Sequence, residues 1–312
     1  MKTYTDIREF SRPSYAVVTV GTFDGLHVGH QKIIRRMKEI ADANNGETVL
    51  VTFNPHPRLV LNNNKGELKF INTLERKFDL LDSFGIDHMI IIPFTKEFSR
   101  TSSDDFTRDF LVDKVGVKKL IVGYDHHFGR NREGNYEKLI ELGDDLGFEV
   151  EEIEAQIIDG MAVSSTKIRN ALASGDISLA NKMLGYTYSI SGIVVEGNKI
   201  GRKIGFPTAN IEVGDEYKLI AAGGVYYCQV DYNGKTYQGM GNIGTRPTVG
   251  IDGLVTEVHI FDFDRDIYGE EITIHFIDRI RDEQKFGNLE LLKQQLISDR
   301  QTILKRIRSQ KD

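Results

Sequence analysis

GTFDGLHVGH occupies residues 21–30, between the apolar run YAVVTV (15–20) and the amphipathic stretch QKIIRRMKEIA (31–41). That order reads as a strand, a glycine-rich turn and a helix. Ile33, Ile34, Met37, Ile40 and Ala41 recur at helical spacing on one face. In an open parallel sheet, ligands bind beyond the carboxyl ends of the strands. A helix N-terminus placed there offers free N–H groups and a partial positive charge, both suited to phosphate. Gly21, Gly25 and Gly29 would let the backbone approach closely. His27 and His30, three apart at the first helical turn, can point both imidazoles to one side. Donors there could stabilise charge developing on a transferring phosphoryl group. The plainer alternative is a glycine turn with surface histidines. A zinc site is a poor reading, because Asp24 and two histidines are no metal-ligand framework.

The first half repeats the same alternation. Apolar runs stand at ETVLVTF (47–53), HMIIIPF (88–94) and KKLIVGY (118–124). Between them, Leu74, Phe78 and Leu81 make a helical stripe, and DDFTRDFLVDKV (104–115) and YEKLIELGDDLG (136–147) supply two more helices. Such alternation indicates a parallel sheet covered on both faces by right-handed crossovers. NNNKGE (62–67) reads as an exposed loop. A short helix, ISLANKMLG (177–185), closes this half, and strands dominate thereafter: YSISGIVVEG, GGVYYCQVDY, KTYQGMGNIG, LVTEVHIFDF and EEITIHFIDRI. Asn233-Gly234 is a hairpin signal, since a type I′ turn needs positive φ at both central residues. Strands without intervening helices indicate an antiparallel barrel or sandwich. A last helix from about Asn288 carries Leu289, Leu292, Leu296, Ile303 and Ile307 on one face. The expected division is 1–184, doubly wound α/β, and 185–312, a β-barrel with a terminal helix.

Composition bounds the class. The 312 residues suffice for two domains with sizeable cores. A net charge of −6 argues against bulk nucleic-acid binding, which needs a basic footprint, but not against a small anion in a local pocket. Cys228 stands alone, so no disulfide can form within the chain, as suits a reducing cytoplasm. Its strand-like surroundings read as a packed hydrophobe. There is no apolar signal core at the start and no run long enough to span a membrane. The sequence sets no oligomeric state.

HVGH after a first strand resembles the HxGH nucleotidyltransferase signature. TFNPHP (52–57), GYDHHFGRNREGN (123–135) and SSTKIR (164–169) resemble segments of bacterial FAD synthetases. IGFPTAN (204–210), NIGTRPTVG (242–250) and EVHIFDFDRDIYG (257–269) resemble the riboflavin kinase module. The motifs occur in order over most of the chain and together resemble the bifunctional riboflavin kinase/FMN adenylyltransferase family of bacteria. One segment departs from the family pattern: DFRFG reads DHHFG here, with His126 and His127 in place of an aromatic and an arginine.

The resemblance implies two ATP-dependent reactions with riboflavin, FMN and ATP as small-molecule partners. In the N-terminal module, FMN phosphate would attack the α-phosphorus of ATP, giving FAD and pyrophosphate. Gly21, Phe23, Asp24 and Gly29 would shape the ATP turn, and His27 and His30 would stabilise the in-line transition state by position and charge, without a covalent intermediate. Ser164, Ser165, Thr166 and Arg169 would meet ATP phosphates, although SSTKIR also reads as a simple helix cap. Asn54, His56, Asp125 and Arg130, near strand ends, would face flavin or its phosphate. In the C-terminal module, Thr208 and Asn210 would ligate Mg²⁺ together with ATP phosphates. GNKIGRKIGF (197–206), with Gly201, Lys203 and Gly205, would form a flap over those phosphates. Glu257 would be the general base, and Arg246 would help to position flavin or nucleotide. By strand alternation Glu257, His259 and Phe261 share one face, and Val258 and Ile260 the other. A carboxylate so placed is either solvent-facing or functional. Two rival readings keep the fold: an HxGH adenylyltransferase for another metabolite, against which PTAN and EVHIFDF stand, and a flavin-binding protein without turnover.

Overall fold

The computed structural model describes residues 1–61, 68–124, 128–130, 133–245 and 253–309. The NNNKGE loop, Asp125, His126, His127 and Arg246 lie outside the described residues. The chain forms two compact units, Met1–Ser165 and Thr166–Asp312.

Six strands build the sheet of the first unit: β1 (Lys2–Tyr4), β2 (Ala16–Val20), β3 (Glu47–Asn54), β4 (His88–Pro93), β5 (Val117–Gly123) and β6 (Glu149–Ile153). Their order is β1-β4-β3-β2-β5-β6, and every pairing is parallel. All five residues of β2 are buried, as a central strand covered on both faces requires. From β2 the chain winds outward through β3 to β4, then returns to β5 and β6 on the other side. The order therefore reverses between β2 and β5, where a doubly wound sheet opens its ligand crevice. Helices α1 (Val28–Ala43), α2 (Pro57–Leu61), α3 (Leu74–Ser83), α4 (Ser103–Asp105) and α5 (Tyr136–Leu146) fill the crossovers. Directly after α4 the chain continues as a wider, π-type helix over Phe106–Val115, where the sequence reads as an ordinary helix. It ends at Gly116, whose φ of 75° is readily adopted without a Cβ. Val18, Val20, Val49, Val51, Leu120 and Val122 form the centre of the core. A small hairpin, β7 (Ile157–Ile158) and β8 (Met161–Ala162), turns at Asp159-Gly160 with φ of 47° and 76°.

A helix α6 (Ser165–Ser174) leads into the second unit, followed by α7 (Ile177–Leu184). The sequence division at 184/185 and the compact units differ by this stretch. The reason is packing on the barrel: Asn181 Nδ2 donates to the Phe276 carbonyl at 2.9 Å and its Oδ1 accepts the Tyr188 N–H at 2.7 Å. The barrel has β9 (Ser189–Val195), β10 (Ala209–Glu212), β11 (Gly224–Tyr232), β12 (Lys235–Thr245), β13 (Leu254–Ile260) and β14 (Glu271–Arg281). They run β10-β13-β12-β11-β14-β9, all antiparallel, and β9 pairs with β10 to close the ring. Asn233 and Gly234 take φ of 50° and 73°, the expected turn. Val258, Ile274 and Phe276 point inward and are wholly buried, beside the free Cys228, a packed side chain as its surroundings suggest. A short helix α8 (Ile200–Lys203) lies in the connection between β9 and β10.

The terminal helix α9 (Leu289–Ser309) packs outside the ring. Ile303, Leu296, Leu304 and Ile307 rest on Phe206, Val225, Tyr227, Met240 and Phe261. Leu289, in the expected stripe, is half exposed at the first position of the helix. A bidentate pair between Arg281 and Asp299 reinforces the docking, with contacts of 2.8–3.1 Å.

Candidate active sites

β2 ends at Val20 beside the crevice, and the glycine turn begins there. Gly21 N–H donates to the Val51 carbonyl at 2.9 Å, tying the turn to β3. Phe23 and Leu26 take positive φ, 48° and 38°, so the turn holds two strained residues. Asp24 is buried and accepts from Ile71 N–H at 3.0 Å and Asn72 N–H at 3.4 Å. Ser165, first residue of α6, donates its hydroxyl to the Asp24 carbonyl at 2.8 Å. Ser165 of the SSTKIR motif is thus brought to the histidine turn. Thr166 and Arg169 follow on the same helix.

His27 caps α1, its Nδ1 accepting the His30 N–H at 3.4 Å. The two rings stack with centroids 3.7 Å apart and planes 15° apart. Phe23 flanks His30 at 4.7 Å. Gly29 keeps the stack clear, since a Cβ there would approach the His27 ring to 3.2 Å. Burial pushes the His27 imidazole down to about 4. Burial, then the charges of His27 and Lys77, holds His30 well below the ordinary value. Both rings are therefore neutral at pH 7, each able to donate one N–H. His30 Nδ1 is buried and has no hydrogen-bond partner.

Asn54 ends β3 at the same edge of the sheet, and its carbonyl accepts the Phe94 N–H. His56 caps the turn into α2, Nδ1 accepting from Arg58 N–H at 3.1 Å, and its ring lies 4.9 Å from Phe70. Arg130 is exposed and bonded through its N–H to the Thr101 carbonyl.

In the second unit a cleft of about 220 Å³ opens on the outer face of the barrel. Its walls are the 198–204 turn, the strands β10, β12 and β13, the segment after β14, and Leu292 and Leu296 of α9. Asn210, Glu257 and Asn242 stand opposite one another on three adjacent strands. Glu257 Oε2 accepts from Thr208 Oγ1 at 3.0 Å, and Oε1 from Asn242 Nδ2 at 3.3 Å. Strand alternation turns Glu257 and His259 into the cleft while Val258 fills the ring. His259 Nδ1 pairs with the Pro207 carbonyl at 2.8 Å, which fixes the start of PTAN. Asn210 Oδ1 is buried without a hydrogen-bond partner. Gly197 backs directly on this side chain, leaving no room for a Cβ. Gly201 is equally constrained, because a Cβ would meet the Phe206 carbonyl at 2.1 Å. Lys203 and Gly205 are exposed and stand outside the cleft lining.

The FAD synthetase family model matches residues 9–167, and the riboflavin kinase family model matches residues 184–307. A bifunctional riboflavin kinase/FMN adenylyltransferase of Listeria monocytogenes is 40% identical over 286 residues, 91% of this chain and 90% of that protein. The chain belongs to the bifunctional riboflavin kinase/FMN adenylyltransferase family. Its Pseudomonas fluorescens relative is 38% identical over 92% of each chain. A solved Streptococcus pneumoniae structure, described as a macrolide-efflux protein, shares the fold at a TM-score of 0.88 and 31% identity, covering 97% of this chain and 98% of that one. Among the described residues no helix is long and apolar enough to cross a membrane. As a riboflavin kinase/FMN adenylyltransferase, the chain phosphorylates riboflavin to FMN with ATP through its C-terminal part and adenylylates FMN to FAD through its N-terminal part.

Two side chains in these sites escape the sequence reading. Asn242 lies in the NIGTRPTVG motif, but only strand pairing shows that it faces Glu257. Lys77 lies outside every motif, yet its Nζ donates to the Thr22 carbonyl of the glycine turn at 2.8 Å.

Proposed function

We propose that the outer-face cleft is the kinase centre and the histidine turn the adenylyltransferase centre of this bifunctional enzyme. The observation that carries the first assignment is the Glu257 carboxylate, fixed by Thr208 and Asn242 inside a cleft and directly opposite Asn210. In this reading Glu257 removes the proton of the riboflavin 5′-hydroxyl as that oxygen bonds to the γ-phosphorus of ATP. The bond from the γ-phosphorus to the bridging oxygen breaks, and ADP leaves with the electron pair. A carboxylate with both oxygens already oriented loses little in reorganisation.

The donor set fits Mg²⁺. Asn210 Oδ1 is a buried oxygen still lacking a partner, and the Thr208 hydroxyl is a second hard oxygen beside it in the motif. These two would hold the ion, which supplies neutralisation of phosphate charge. The turn carrying Gly201 would cover the phosphates, with Lys203 and Gly205 at its exposed side, and Arg246 would help to position flavin.

In the N-terminal centre an FMN phosphate oxygen bonds to the α-phosphorus of ATP, and pyrophosphate leaves. Neutral His27 and His30 would donate to phosphate oxygens, with Ser164, Ser165, Thr166 and Arg169 completing the nucleotide contacts. Asn54, His56, Asp125 and Arg130 would face FMN. The lone buried cysteine is consistent with a cytoplasmic enzyme.

Chromatography of flavins tests both assignments, with riboflavin, ATP and Mg²⁺ in one mixture and FMN, ATP and Mg²⁺ in another. Glu257→Gln is expected to slow FMN formation by roughly 10²–10⁴-fold. FAD formation from supplied FMN should be unchanged. Normal FMN formation in that variant would sink the assignment of the base.

A further inference from the structure

Lys77 lies on α3, 47 to 50 residues beyond the histidines in sequence. Two hooks join its neighbourhood to the glycine turn. Asp24 of the turn accepts from the Ile71 and Asn72 N–H groups, and Lys77 Nζ donates back to Thr22. The turn is thus clamped from both ends of the 71–77 segment, and the clamp fixes the approach to His27.

The charge balance of the site gives that lysine a second consequence. ATP brings a polyanion, whereas the stacked histidines bring donors without charge. Protonating either ring would cost the desolvation that already holds both neutral. A lysine beside them bears a desolvation cost too, but an ammonium starts from a far higher ordinary value than an imidazole. Burial opposes the Lys77 ammonium and the Asp24 carboxylate favours it. The ammonium in turn acts on His30, reinforcing its neutral state. Asp24, His27, His30 and Lys77 are ionisable groups that act on one another at this turn. His30 Nδ1, buried and unpartnered, marks where this arrangement has unused hydrogen-bonding capacity.

We propose that Lys77 is a positioning residue of adenylyl transfer, holding the Thr22 carbonyl in place and supplying the fixed cation behind the His27–His30 pair. This rests on the reading that those histidines receive the ATP phosphates.

The test uses the full chain, whose kinase reaction serves as an internal control. Lys77→Met is expected to lower kcat/KM for ATP in FAD formation by 100-fold or more, with FMN formation from riboflavin within twofold of the wild type. By NMR, His30 should titrate at higher pH in the variant, because a neighbouring cation has been removed. Lys77→Cys in a Cys228→Ala background, alkylated with 2-bromoethylamine in urea and then refolded, regains an ammonium, since burial would shield either thiol in the folded chain. Alkylation should recover at least tenfold of the lost activity. FAD formation within threefold of the wild type in Lys77→Met would overturn the proposal. So would a loss that alkylation does not reverse together with an unmoved His30 titration, since that pattern means packing alone. His27→Ala is run in parallel: if it still makes FAD, the histidine reading fails first, whereas its loss beside an active Lys77→Met removes only the role of Lys77.

Discussion

Asn242 and Thr208 hold the two oxygens of Glu257 in separate directions, so removing one donor should let the carboxylate turn. A hydrogen bond to a charged group is worth about 1.5–3 kcal/mol, so Asn242→Ala should cost about 10- to 100-fold in the kinase kcat. Steady-state assays against riboflavin check this, and an unchanged kcat would refute the orienting role. His27 gives a pH prediction. Its folded-state value is depressed to about 4 from an ordinary 6.5, so the unfolded chain takes up the proton first. Its contribution is fully present above pH 6.5 and is lost as pH falls toward 4, amounting to about 3 kcal/mol. Urea unfolding between pH 7.5 and 4.5 measures it. His27→Asn keeps an acceptor at the helix cap but cannot titrate, so its stability should depend less steeply on pH. At this scale the sequence is legible where chemistry clusters along the chain, as in HVGH or PTAN. It hides Lys77 and Asn242, because the partners of one lie about 50 residues away and those of the other sit across a strand pair.

Elements are legible in proportion to their periodicity. The burial of α1 falls on Ile33, Ile34, Met37, Ile40 and Ala41, the same five residues that its apolar stripe indicates. The three residues of β1 are too few to show a period, and only pairing with β4 makes them a strand. Helix α7 carries an unambiguous stripe, but a stripe does not say which body it faces. Asn181, whose bonds to the barrel decide that, reads in sequence as one more polar residue. The docking of α9 uses a partly buried ion pair as well as Ile303. Asp299→Ala would take from Arg281 its carboxylate partner in the cleft wall, at a cost of about 1–3 kcal/mol. Thermal denaturation should register this as an earlier transition, and the KM for riboflavin should rise. Ordinary stability and KM would show that α9 docks by apolar contact alone.

At the scale of the molecule, two units of different architecture carry two reactions linked by one compound, since FMN is the product of the first and the substrate of the second. His27→Ala with riboflavin and ATP should therefore accumulate FMN and yield no FAD, a product pattern that chromatography reads directly; loss of both products in a folded variant would refute two independent centres. Both fold classes are legible in sequence, one from strands alternating with helices and the other from strands joined by turns. The location of the outer-face cleft is not, because alternation separates two faces of a strand without saying which one lines a cavity. The ring closed by β9 and β10 is packed solid by Val258, Ile274 and Phe276, and the cleft lies against its outside. Evolutionary change in flavin preference can therefore act on the turn, the segment after β14 and α9, three walls that stand apart from the side chains filling the ring.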